Sequence, residues 1–188
     1  MPRYNKALYG VPFLFAWEKN VMSDYGVLLG VTEPGCLVDS TRYNIDGTGV
    51  CKSDSILIGK AVCFAGFDGV YKMLSDDFSD ATEAVAVGIA LRTNDCLTIE
   101  ETTGYMAYRS GDPVNVVTSG KVWVLSEEIV SRPEFGSKVS VLSDGFISDS
   151  GEYVVDGWEF SGDFIKYDNQ FNIVGVNVKK PGKLISVA

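Results

Sequence analysis

The sequence predicts an all-β fold, a sandwich or barrel, on three observations. Turn signals recur at short intervals, the segments between them alternate large apolar residues with small or polar ones, and helix-period stretches are scarce. Residues 1–55 are the least regular part. They are rich in aromatics and in turn residues (Glu33-Pro34-Gly35, Asp46-Gly47-Thr48-Gly49), and read as an extended N-terminal arm with lead-in strands. A barrel domain is expected over residues 56–188. Its first pair is 56–66 and 69–74, joined at Asp68-Gly69, a strong two-residue hairpin signal.

In residues 83–92, Val85, Val87, Ile89 and Leu91 fall on one face of a strand, and Ala84, Ala86, Gly88 and Ala90 on the other. Branched residues at every second position favour strand over helix, and the small face predicts close approach by another layer. Ser79–Glu83 is the one helix candidate and is read as an acidic loop. Residues 114–125 predict a hairpin turning at Ser119-Gly120, with Val116 opposite Trp123 and Val117 opposite Val122. Strands at 138–142 and 145–148 meet around Asp144-Gly145. The turn Ser148–Gly151 leads into Glu152–Val155, and strands at 163–167, 171–178 and 183–187 follow.

Composition narrows the function. A chain of 188 residues packs to a radius of gyration of roughly 16 Å and can hold a core without disulfides. It has no histidine, which removes Ser/His/Asp and Cys/His arrangements and most zinc sites. The net charge of −9 argues against nucleic acid as a partner, since phosphate is bound by Lys and Arg. Cys36, Cys51, Cys63 and Cys96 contain no CxxC and read as reduced thiols in a cytosol, with one or two disulfides as the alternative. The apolar run Ala7–Trp17 is shorter than a bilayer span and carries Pro12. It is read as a structural segment and not a leader, and the protein as soluble without a membrane partner.

No reactive constellation emerges. The adjacent acids Asp76/Asp77, Glu100/Glu101 and Glu127/Glu128 point to opposite faces of any strand, whereas glycosidases need two carboxylates converging on one bond. Asp76, Asp77, Asp80 and Glu83 lack the spacing of a calcium loop, and Gly47-Thr48-Gly49 is no phosphate cradle. No metal, cofactor or catalytic residue is expected, and the chain is read as a non-enzyme. The remaining signal is aromatic. Trp17, Trp123, Trp158 and the tyrosines suit a core, a protein interface or a sugar-stacking face.

Three stretches in order then resemble the structural cement, or head decoration, proteins of tailed bacteriophages. These are Ile58-Gly59-Lys60-Ala61-Val62, Val87–Thr93 (VGIALRT), and Tyr108–Val116 (YRSGDPVNV) with Gly120–Val124 (GKVWV). The closing strand Ile173–Val178 also fits, so the resemblance covers roughly residues 56–188. It implies a jelly-roll-like β-barrel on the capsid exterior that clamps neighbouring major capsid proteins as a homodimer or other small homo-oligomer, made in the host cytoplasm. On this reading the anchors are Tyr4, Tyr9, Phe13, Phe15 and Trp17, with Tyr105, Tyr108 and Arg109 as secondary contacts. A carbohydrate-binding module of a virion tail or surface protein is the alternative, and a carboxylate-based hydrolase ranks below it.

Overall fold

The computed structural model describes residues 32–40, 42–68, 71–80, 85–93, 98–100 and 103–186. The expected anchors Tyr4, Tyr9, Phe13, Phe15 and Trp17 lie outside these residues, as does Cys96. The described elements are β1 (Asn44–Cys51), β2 (Ser55–Leu57), β3 (Ala61–Asp68), β4 (Tyr71–Ser75), a 3-10 turn (Phe78–Asp80), β5 (Val85–Ala90), β6 (Ala107–Arg109), β7 (Pro113–Ser126), β8 (Lys138–Val141), β9 (Ile147–Ser148), β10 (Tyr153–Lys166), β11 (Asn172–Val178) and β12 (Gly182–Ser186). The all-β expectation therefore holds.

Eight strands close a ring in the order β11-β7-β1-β4-β3-β5-β12-β10, completed by the β10–β11 pairing, and β8 and β9 extend it from β10. A further pairing, β5 with β7 through Ile89↔Val117 and Ala90↔Val116, crosses the ring and divides it into two smaller closed circuits. Each circuit has its own core. Cys51, Val62, Leu74, Val87, Ala90, Val114 and Val116 fill the circuit of β1, β3, β4, β5 and β7. Ala61, Cys63, Ile89, Val117, Val122, Trp158, Phe160 and Val176 belong to the larger core on the other side. The strands β3, β5 and β7 form the shared wall, sending successive side chains to opposite cores, as the two-residue period of a strand requires.

Two expectations are corrected. First, residues 114–125 do not form a hairpin. They belong to one 14-residue strand, β7. Val116 pairs with Asp46 and Ala90, while Trp123 pairs with Gly175 and Val122 with Val176. Gly120 has φ +128°, but Ser119 does not take a positive φ. A type I′ turn needs both central residues there, and a type II′ turn needs glycine first, so the chain bends at Gly120 and continues. Second, the large and small faces of 83–92 are not separate. A bulge in β5, between Val62↔Gly88 and Cys63↔Ala86, sends Val87 to one core and Ile89 to the other. Close approach does occur at Gly88, where a Cβ would lie 2.1 Å from the carbonyl oxygen of Val117.

Strands β3 and β4 pair antiparallel, as the Asp68-Gly69 signal predicts, and β8 and β9 meet across Asp144-Gly145. Segments expected at 152–155 and 163–167 merge into β10, which bulges between Phe160 and Phe164, around Gly162 (φ +75°). β1, within the expected lead-in strands, lies in the sheet between β7 and β4 and runs parallel to β4. Residues 35–38 run along the second half of β7. The Gly35 and Val38 N–H groups donate to the Trp123 and Lys121 carbonyls at 2.8 and 2.9 Å, and the Trp123 N–H donates to Cys36. Thus β7 is hydrogen-bonded on both flanks along most of its length. A separate two-stranded sheet, β2 with β6, covers a third cluster on the outside that includes Leu57, Leu125, Phe146, Phe171 and Ile173.

Candidate interaction surfaces

The expected secondary contacts fall in three different environments. Tyr108 is a core residue, only 3% exposed, whose hydroxyl donates to the Leu91 carbonyl at 2.6 Å. The reason is the position of β6: Ala107 faces the third cluster and Tyr108 faces the smaller core, so both sides of this short strand are covered. Tyr108 therefore offers no surface to a partner. Arg109, the next residue, is exposed at the strand end. Its N–H donates to the Asp112 carboxylate at 2.8 Å, closing the turn at Ser110-Gly111.

Tyr105 is half-buried and meets Phe171 edge-on at 4.8 Å between centroids, with Tyr167 at 6.3 Å. Its hydroxyl donates to Asp168. Burial, then the hydrogen bond to that carboxylate, pushes the Tyr105 hydroxyl up to about 12. Burial acts to raise Asp168 too, but the Tyr105 hydroxyl and the Phe171 and Gln170 N–H groups outweigh it, and the carboxyl titrates low. Beside this pair opens a cavity of about 190 Å3, walled by Pro34, Ile58, Met106, Leu125, Tyr105 and Tyr167 and edged by the Glu33–Arg92 ion pair. It is smaller than a typical ligand pocket.

Asp76 and Asp77 do not converge. Asp76 is largely buried, 3.5 Å from Lys60, whose ammonium lies 4.1 Å above the Phe146 ring. Burial raises the Asp76 pKa against the pull of Lys60. Its neighbour Asp77 is exposed and accepts from the N–H and hydroxyl of Ser79, which lower its pKa. Among the described residues, no group of three or more Cys, Asp or Glu is placed to hold a metal ion. Of the described tryptophans, Trp158 is sealed in the core with its indole N–H on the Lys180 carbonyl, and Trp123 is half-buried against the third cluster. They form no exposed aromatic row.

Sequence reasoning passed over the most exposed large apolar side chains of the described residues. Val130 and Phe135 are 79% and 78% exposed, and both sit on the loop between β7 and β8. Their signal lay in the sequence: three large apolar residues, Ile129, Val130 and Phe135, in Glu127–Gly136, a stretch with Pro133 and no strand or helix period. Among the described residues, the other exposed large apolar side chains are Tyr43, Ile45, Ile99 and Ile185.

Compared with known proteins, residues 22–178 match the family model described as XM1 gp53 minor capsid protein. A solved chain from the capsid of Myoviridae phage XM1 superposes with a TM-score of 0.55 at 18% identity, over 79% of this chain and 91% of that one. At that identity the likeness speaks to the fold. No curated protein matches the chain.

Proposed function

Since the chain belongs to the XM1 gp53 minor capsid protein family, and so is a structural protein of a phage virion that associates with capsid proteins, we propose that it binds the outside of the head and cements neighbouring major capsid subunits. The family match over residues 22–178 carries this reading. The fold is compatible with it. A closed ring leaves few free strand edges, which limits edge-to-edge aggregation at the high copy number of a shell. The net charge of −9 suits a protein kept apart from packaged DNA.

Cementing needs neither an acid–base pair nor a cofactor. It needs several modest contacts held at high effective concentration, so that each copy, or each small homo-oligomer, bridges more than one coat subunit. In this reading the aromatic residues Tyr4, Tyr9, Phe13, Phe15 and Trp17 act as anchors, with Tyr105 and Arg109 available beside the barrel. Aromatic side chains suit that role because they bury a large area for little lost rotamer freedom.

The test is decoration of purified heads lacking the protein, imaged by electron microscopy. The full chain is expected to occupy regular sites on the outer surface, and a variant lacking residues 1–17 is expected to remain folded but to leave the heads bare. Binding only to tails or free glycans would overturn the cement reading. Normal occupancy by the truncated chain would remove the aromatic segment from the anchor role.

A further inference from the structure

We propose that the loop between β7 and β8, residues 127–137, is a preformed docking knuckle, seating Val130 and Phe135 in an apolar depression of the coat protein rimmed by Lys and Arg. This rests on the capsid reading above and names a surface for it. Single exposed apolar side chains are common on protein surfaces, but two that are nearly fully exposed on one ordered loop give a partner apolar area to cover. The two most exposed large apolar side chains among the described residues share this one loop.

The loop is held in shape while exposing them. The Ile129 N–H donates to the Ser126 hydroxyl at 3.1 Å, and the Asn172 amide donates to the Ile129 carbonyl at 3.0 Å. Arg132 donates through Nε to the Gly162 carbonyl, at the bulge of β10. The Gly136 N–H donates to Phe160 at 2.8 Å, and the Phe160 N–H donates to Ser137 at 2.9 Å. Ile129 itself is buried at 3% exposure and nails the base of the loop into the larger core. A surface ordered before contact loses little entropy on binding, which is the requirement for a small anchor to contribute usefully.

Charge selects the partner. The loop carries Glu127, Glu128 and Glu134 against a single cation, Arg132, whose Nε is already engaged. Glu128 accepts from the Ser148 hydroxyl at 2.6 Å, leaving its carboxylate at the surface. On a chain of net charge −9, an acidic loop carrying two exposed apolar side chains is complementary to an apolar depression with a basic rim. The same acidic loop opposes a second copy presenting it.

The experiment titrates the full-length protein onto purified undecorated heads and follows occupancy by co-sedimentation at low and high salt. Val130→Ser with Phe135→Ser is expected to raise the half-saturating concentration at least about tenfold. Glu127→Lys with Glu134→Lys is expected to weaken binding at low salt and to differ less from the parent at high salt. Both variants should keep the parent melting profile, because the altered side chains are exposed. Val130→Ser alone, which leaves Phe135 against Gly162, serves if the double variant melts early. Parent-like binding by the apolar variants, or equal or tighter binding by the lysine variant at low salt, would overturn the docking role while leaving the capsid reading intact. A change in oligomeric state on altering Val130 and Phe135 would assign the loop to a second copy and also overturn it. Failure of the parent protein itself to bind heads would overturn both.

Discussion

Replacing Gly88 by alanine tests the two-core architecture at its tightest point. A Cβ there would lie 2.1 Å from the Val117 carbonyl oxygen, 2.8 Å from the Val117 carbonyl carbon and 2.7 Å from Val116 Cγ1. Two of the three obstacles are backbone, so no rotamer change relieves the clash. The wall strands must separate, which strains the Ile89↔Val117 and Ala90↔Val116 pairs. Overpacking a close-packed interior costs about 1–3 kcal/mol. Each backbone hydrogen bond weakened in the ladder adds about 1 kcal/mol. The sum is about 3 kcal/mol, a large part of the ~5–15 kcal/mol that holds a domain together. For a chain of this size it lowers the melting temperature by about 6–12 °C. Urea unfolding followed by tryptophan fluorescence reads the loss. Gly111→Ala is the control, because Gly111 has φ +90° with nothing within 4 Å of a built Cβ, so only the backbone penalty of about 1–2 kcal/mol applies. A Gly88→Ala protein as stable as the parent, or no less stable than the control, would refute the shared-wall packing.

Two further outcomes follow from single side chains. Burial, followed by the nearby Asp76 and Asp112 charges, pushes the Cys51 thiol up to about 12. At pH 8 it should stay unmodified by a thiol reagent in native protein and react only on unfolding, and rapid native labelling mapped to Cys51 by mass spectrometry would contradict its placement. Hydrogen bonds from Lys72 (2.6 Å) and then from Thr48 hold the Asp46 carboxyl down at about 2. A depressed pKa gives stability that is present above the unfolded value of about 3.9 and lost as the pH falls through about 2. Partial exposure of both partners limits it to about 1 kcal/mol or less. Asp46→Asn should abolish that part of the acid sensitivity, and equal slopes of stability against pH for variant and parent between pH 4 and 2 would contradict the pairing.

Much of the fold was legible because strand periodicity and turn chemistry are local. Alternation located β3, β5, β8, β10, β11 and β12, and Asp144-Gly145 marked a true reversal. What stayed hidden depended on partners distant in sequence. Nothing near Gly120 shows that β1 and β11 flank the strand on either side of it, so a bend read as a turn. Nothing near Val87 shows the bulge that parts it from Ile89, because bulges are defined by the opposite strand. Tyr108 reads as a secondary contact in the sequence, yet coverage of β6 from both sides is a tertiary fact. Val130 and Phe135 illustrate the reverse. Their chemistry is plain in the sequence, but exposure is needed to separate a docking residue from a core residue.

The continuous β7 also has a mechanical meaning. Its ladders to β1 and β11, and its bonds to residues 35–38, run across the strand axis on both flanks. A tug along that axis from the 127–137 loop loads these bonds in shear and together, whereas a peeling force would break them one at a time. Strain entering at the loop would be spread over both cores through the Ile89↔Val117 and Ala90↔Val116 pairs before any strand could slip. Pulling along β7 therefore meets many bonds at once, whereas peeling meets them singly.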